Sequence, residues 1–192
     1  MRRSSPLLVL ALLATLAGCS PTALQTESSA APDPTDFPVA SETPAAAEIF
    51  ATDDDALAAA QAAFQRFLDA TNTIEADGGS GTDALANVVS GDLLTQMTSS
   101  YAEMASAGVH SVGATTFDGA TFTSRAMEGD AESVTIGACV DSTDTKVVDA
   151  SGATQNPPDS RARVPFEVEV SATSPTAVTV VNLSPTSETE SC

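Results

Sequence analysis

Tryptophan is absent from this chain of 192 residues, and tyrosine and histidine occur once each. Lys146 is the only lysine. Seven Lys and Arg stand against 26 Asp and Glu, for a formal charge of −19. A chain this poor in cations lacks the basic patch that nucleic acid or an anionic lipid surface requires. No GxSxG, HExxH, CxxC or P-loop stretch occurs, so the usual signatures of nucleophilic, zinc, redox and nucleotide chemistry are missing. A catalytic histidine needs a nucleophile to serve or a carboxylate to orient it, and His110 has neither nearby in sequence. Asp141, Asp144 and Asp149 lack the regular spacing and closing Glu of a calcium loop and read as turn residues. Arg161 and Arg163 form the only basic pair beyond the N-terminus, placed to meet local acids at the surface. These absences leave no catalytic, metal or cofactor site, and the chain reads as non-enzymatic.

Long apolar runs are scarce too. The longest, Leu7 to Ala17, falls short of the roughly 20 residues that cross a bilayer. It follows Arg2 and Arg3 and ends in small residues, the layout of a secretory leader. Leu16-Ala17-Gly18-Cys19 resembles the bacterial lipobox. That resemblance implies cleavage after residue 18, a diacylglycerol thioether on Cys19, and a chain held on the outer face of a cell membrane. Two acyl chains anchor stably where one is marginal. Loss of Arg2 and Arg3 with the leader leaves 26 acids against 5 bases, a formal charge of −21. Disulfides persist outside the membrane, and Cys139 and Cys192 are then the remaining thiols. They most simply pair with each other, since a reactive thiol needs an activating neighbour that neither has in sequence.

Residues 19–50 are rich in Pro, Ser, Thr, Ala and acids without apolar periodicity. Such a segment buries too little to offset its chain entropy, so a disordered tether is expected, with Phe50 beginning to dock on the domain that follows. From residue 51 the pattern turns helical. Leu57, Ala60, Phe64, Phe67, Leu68, Thr71 and Ile74 share one face, Thr52 or Asp53 can cap the start, and Gly78-Gly79 ends it. TDALANVVS predicts a short helix. GDLLTQMTSSYAEMASAG predicts another, with Ser90 as cap and Gly108 as stop. Beyond Gly108 the period becomes two. A broken strand or hairpin carries Asp118-Gly119 as a turn or bulge. AESVTIGACVD sets Val134, Ile136, Ala138 and Val140 on one face with Cys139 on the other. A short strand is expected at Lys146–Val148. RVPFEVEVS turns Val164, Phe166, Val168 and Val170 inward, with Pro165 at an edge or a strand end, and AVTVVNLS is the last strand. Helices followed by about four antiparallel strands define an α+β domain over residues 51–192.

Plentiful Ala, Thr, Ser and Asp with scarce Lys resembles high-GC actinobacterial proteins. The AFQRFLDA helix, the EMASAG helix end, the ACVDST…VVDASG strand pair and the terminal Cys192 resemble secreted actinobacterial lipoproteins with a nuclear transport factor 2-like (SnoaL-like, cystatin-like) domain. The resemblance implies helices on a curved, cone-like sheet around a pocket, for which Phe64, Phe67, Tyr101, His110 and Phe166 are the lining candidates. It also implies a Trp in the last strand, where AVTVVNLS has none. Three functions remain open: an anchored domain binding a protein partner at the cell envelope, a tethered small-ligand carrier, or an isomerase- or hydratase-like enzyme. A pocket filled by Phe64, Phe67 and Phe166 favours the first and an open apolar one the second. The third requires Tyr101 or His110 beside a buried carboxylate facing the pocket.

Overall fold

The computed structural model describes residues 47–155, 162–186 and 192. Cys19, the expected leader at 1–18 and all but the end of the expected tether lie outside the described residues. Helix α1 (Asp53–Ala76) is followed by a 3₁₀ turn (Thr82–Asn87) and helix α2 (Gly91–Ala107). Six strands follow: β1 (Val109–Val112), β2 (Thr116–Glu128), β3 (Ala131–Asp141), β4 (Lys146–Asp149), β5 (Arg163–Ser174) and β6 (Ala177–Pro185). β2, β3, β5 and β6 form one antiparallel sheet in the order β2-β3-β5-β6, and β1 pairs with β4 in a separate ribbon. The α+β class and the four-stranded antiparallel sheet are as the sequence predicts. Among the described residues no helix is long and apolar enough to cross a membrane.

α1 forms where the apolar spacing places it. The Thr52 hydroxyl accepts the Asp55 N–H at 3.1 Å, and Asp53, Asp54 and Asp55 sit at the positive end of the helix dipole. Ala56, Ala60, Phe64, Phe67, Leu68, Thr71 and Ile74 are buried along one face, and all but Thr71 join Val134, Ile136, Val168, Val170 and Val180 in one core cluster. The helix stops because the Gly79 N–H turns back to the Ile74 carbonyl at 2.8 Å. Gly79 has φ +84°, and a Cβ there would collide with the Tyr101 carbonyl oxygen. Glycine is required twice over, by the left-handed backbone and by the passing α2.

One expectation is corrected in detail and another is resolved between its two alternatives. Ser90 precedes α2 but does not cap it with its side chain; its hydroxyl lies 2.9 Å from that of Thr179. The stretch Val88–Ser90 exchanges backbone bonds with Val180 instead, covering part of the free edge of β6, which would otherwise invite pairing. Pro165 is not on an edge, since β5 lies between β3 and β6. It stands near the start of β5, where its carbonyl accepts the Thr186 N–H at 2.9 Å. The Asp118-Gly119 break is a register irregularity between Asp118 and Thr121, as a bulge would give. The last strand pairs with β5 without tryptophan, Val170 opposite Val180 and Ala172 opposite Val178, with register shifts between Glu169 and Val170 and between Ala172 and Ser174.

Candidate functional site

Of the five pocket candidates, Phe64, Phe67 and Phe166 lie in or against the core cluster. Phe64 and Phe67 are 1% and 4% exposed, their rings nearly parallel with centroids 5.8 Å apart. The Phe64 ring also meets that of Phe117, tilted at 59° and 4.8 Å away, a favourable arrangement for an aromatic pair. Phe166 is partly buried against the same core. Burying an aromatic side chain stabilises by roughly 1.5–3 kcal/mol, so the Phe64, Phe67 and Phe117 rings hold the helix to the sheet, while Phe166 also borders an open depression with Gly119, Thr121 and Pro165.

Tyr101 and His110 lie near the C-terminal end of α1. Tyr101 is buried, and its hydroxyl donates to Glu75 Oε1 at 3.3 Å. The Ser111 hydroxyl donates to Glu75 Oε2, also at 3.3 Å. Burial pushes the Glu75 carboxyl above the usual carboxylate range, with the Ser111 and Tyr101 hydroxyls offsetting part of the rise. Burial and the neighbouring Glu75 push the Tyr101 phenol up as well. One carboxyl thus ties α1 to α2 and to β1. His110, half-buried on β1 opposite Val148, borders a separate open depression with Asp77, Gly78 and Gly108. The tyrosine–carboxylate pair that an enzyme would need is present. It bonds to the β1–β4 ribbon, not across the space between α1 and the four-stranded sheet.

A second polar constellation receives the chain as it enters the domain. Ile49 and Phe50 donate their backbone N–H groups to Glu132 Oε2 at 2.6 and 3.0 Å, and Phe50 is buried. Arg125 donates to Glu132 Oε1 and Asp53 Oδ1, both at 2.8 Å, to Glu48 Oε2 at 3.2 Å and to the Phe50 carbonyl at 2.7 Å. The Glu132 side chain is 1% exposed. Burial alone would raise its pKa, but the Phe50 N–H, the guanidinium and the Ile49 N–H together hold it below the usual range. This knot fixes residues 48–53 to β2 and β3.

Cys139 and Cys192 are joined, with Cα atoms 5.5 Å apart, within the span a disulfide requires. Two of the three clustered acids, Asp141 and Asp149, are occupied by turns. Asp141 accepts the Thr143 N–H, and Asp149 accepts the Ser151 and Ala153 N–H groups. Arg163 pairs with Asp118 and Asp141, and Arg161 lies outside the described residues. An open groove of about 400 Å³ runs beside the start of β6, and Arg66 is on its wall.

No protein-family model matches the chain, and no curated protein matches it. Among solved structures, the crystal structure of the intermembrane space region of chloroplast protein ARC6 is similar, with a TM-score of 0.50 at 17% identity, covering 69% of this chain and 97% of that one. The likeness is one of fold alone. A solution structure of a de novo β-sheet design protein matches at a TM-score of 0.22 and 17% identity, covering 69% of this chain and 85% of that one, too loosely to carry an argument.

Sequence reasoning passed over Glu75, Glu132 and Arg66. Two of them leave a signal. Glu132 shares the parity of Val134, Ile136 and Ala138 on β3, so strict alternation already turns a carboxylate inward. Glu75 follows Thr71 by four residues on the apolar face of α1. Arg66 leaves none, because its partner is a backbone carbonyl.

Proposed function

We propose that this is a lipoprotein anchored to the outer face of the cell membrane through acylated Cys19, whose non-enzymatic nuclear transport factor 2-like domain binds a protein partner at the envelope. The packing of Phe64 against Phe67 and Phe117 carries this reading. Rings packed against one another between α1 and the sheet leave recognition to the outer surface in this reading. The lipobox-like LAGC supports the anchor. The paucity of basic residues turns the surface away from nucleic acid.

The Glu75–Tyr101 pair is the observation on the enzyme side. A raised carboxyl beside a phenol suits proton transfer, but this one is held by Ser111 of the ribbon and lies away from the ring-filled space. Two experiments test the proposal. Cys19→Ser should leave an uncleaved precursor or release soluble protein, and unchanged membrane retention overturns the anchor. Photo-crosslinking in intact cells should give a discrete protein adduct with the anchored chain. Absence of any adduct, with a bound metabolite in the purified protein, would favour the carrier reading.

A further inference from the structure

The groove beside β6 has a chemistry that neither the anchor nor the aromatic core accounts for. Four cations occur among the described residues. Arg125 meets three carboxylates and Arg163 meets two. Lys146 stands on the β1–β4 ribbon. Arg66 alone borders the groove, with no carboxylate at ion-pair distance among the described residues, in a chain where acids outnumber bases nearly four to one. Its position is nonetheless set, because Nη2 donates across from α1 to the Val178 carbonyl at 3.1 Å. The remaining N–H donors of the fork have no hydrogen-bond partner among the described residues and can meet a ligand.

The rest of the lining is mostly hydroxyl and amide side chains, Asn87, Ser90, Ser171, Thr173, Thr176 and Thr179, with the small apolar Ala177 and Val178 among them, and no aromatic ring is among its walls. Its volume, about 400 Å³, falls within the usual range for small-molecule sites. A guanidinium recognises a carboxylate through two parallel hydrogen bonds, and hydroxyl and amide side chains both donate and accept, which suits a polyol. One cation balances one negative charge. A doubly charged phosphate would be left uncompensated within a strongly acidic molecule, whereas a monocarboxylate would not. A peptide would instead call for apolar side-chain pockets or a free strand edge. Val88–Ser90 already pairs with β6 at Val180.

We propose that this groove binds a hydroxylated monocarboxylate, a uronic-acid sugar unit, with its carboxylate on the Arg66 fork and its hydroxyls on the Ser and Thr side chains. The site does not depend on the membrane anchor or on the protein partner. The test is calorimetric titration of D-glucuronate into the full chain in detergent at low salt, with D-glucose and acetate as the two halves of the ligand. Glucuronate should bind at least ten-fold tighter than either half. Arg66→Gln should weaken glucuronate at least ten-fold in a domain that remains folded, with only a small drop of the thermal midpoint from loss of the Val178 bond. Arg66→Lys, which keeps the charge and loses the fork, should also weaken it. Thr176→Val should weaken glucuronate and leave acetate unaffected. No binding of glucuronate, equal binding of acetate or of glucose, indifference to both Arg66 substitutions, or tighter binding of a Glu-rich tripeptide would each overturn the proposal.

Discussion

Reducing the Cys139–Cys192 bridge should cost a large, calculable part of the domain's stability. The cysteines are 53 residues apart. In the chain-entropy treatment, closing a loop of n residues removes roughly 2.1 + 1.5R ln n cal/mol/K from the unfolded chain. For this loop that is about 14 cal/mol/K, or about 4 kcal/mol at 25 °C. A domain of this size shifts its midpoint by about 2–4 °C per kcal/mol, so the drop should be roughly 8–16 °C. The same treatment predicts a second signature. The oxidised unfolded chain is more compact and exposes less surface, so the urea m-value should rise on reduction. Thermal and urea unfolding followed by circular dichroism, with and without reductant, measure both quantities. Cys192→Ser should match the reduced wild type, because in either case the loop is open. The reasoning is refuted if reduction moves the midpoint by less than about 2 °C, or if stability falls with no change in m. The latter would place the effect in native contacts of the C-terminus.

Three further outcomes are expected. Phe64→Ala should destabilise by about 3–5 kcal/mol, since its ring is buried against two others; a loss under about 1 kcal/mol in urea titration would mean that the ring faces open space. Glu75 has its pKa raised by burial, so its contribution is fully present below the unfolded carboxylate pKa and fades as pH rises through the folded one. Glu75→Gln should therefore gain stability relative to wild type across that interval and plateau above it, and a gap between the two that is independent of pH in thermal scans would contradict the assignment. Glu132→Ala should abolish hydrogen-exchange protection of the Ile49 and Phe50 amides while protection within β5 persists. Protection retained at both amides would mean that the strap is held by Phe50 packing alone.

Local patterns were legible wherever one face is buried and the other wet. α1 and its caps, the alternation of β3 and β5, and the bulge after Asp118 all follow from spacing, because the periods of 3.6 and 2 map residue order directly onto burial. Pairings across long separations were not legible. Lys146–Val148 reads as a strand, and the ACVDST…VVDASG likeness sets it beside β3; the structure corrects this, pairing β4 with β1. Gly113 supplies part of the reason. Its φ is +97° and a Cβ would collide with the Asp144 carbonyl oxygen, so the chain breaks there and folds β1 away from β2 against the turn before β4. Ser90 has the sequence of a helix cap, but a hydroxyl 89 residues away competes for its side chain. The meeting of Phe64 with Phe117 likewise depends on how α1 lies across the sheet, which no periodicity encodes.

The two ties that close this domain sit at opposite ends of one strand. Glu132, where the entering chain is fixed through Ile49 and Phe50, and Cys139, where the C-terminus is bonded, are seven residues apart on β3. At about 3.4 Å per residue, that is roughly 24 Å. α1 begins at Asp53, which Arg125 also holds, and ends beside the ribbon at Ser111 through Glu75. Helix and central strand therefore both run from the entry knot to the end that carries the disulfide, Tyr101 and His110. A pull on the N-terminal segment would load Glu132 and Arg125 first, ahead of the aromatic core. An ionic knot at the point of entry and a covalent one at the far end divide the work by position. The knot holds the start of the chain to the sheet, the bridge limits the unfolded state, and the stacked phenylalanines between them join helix to sheet.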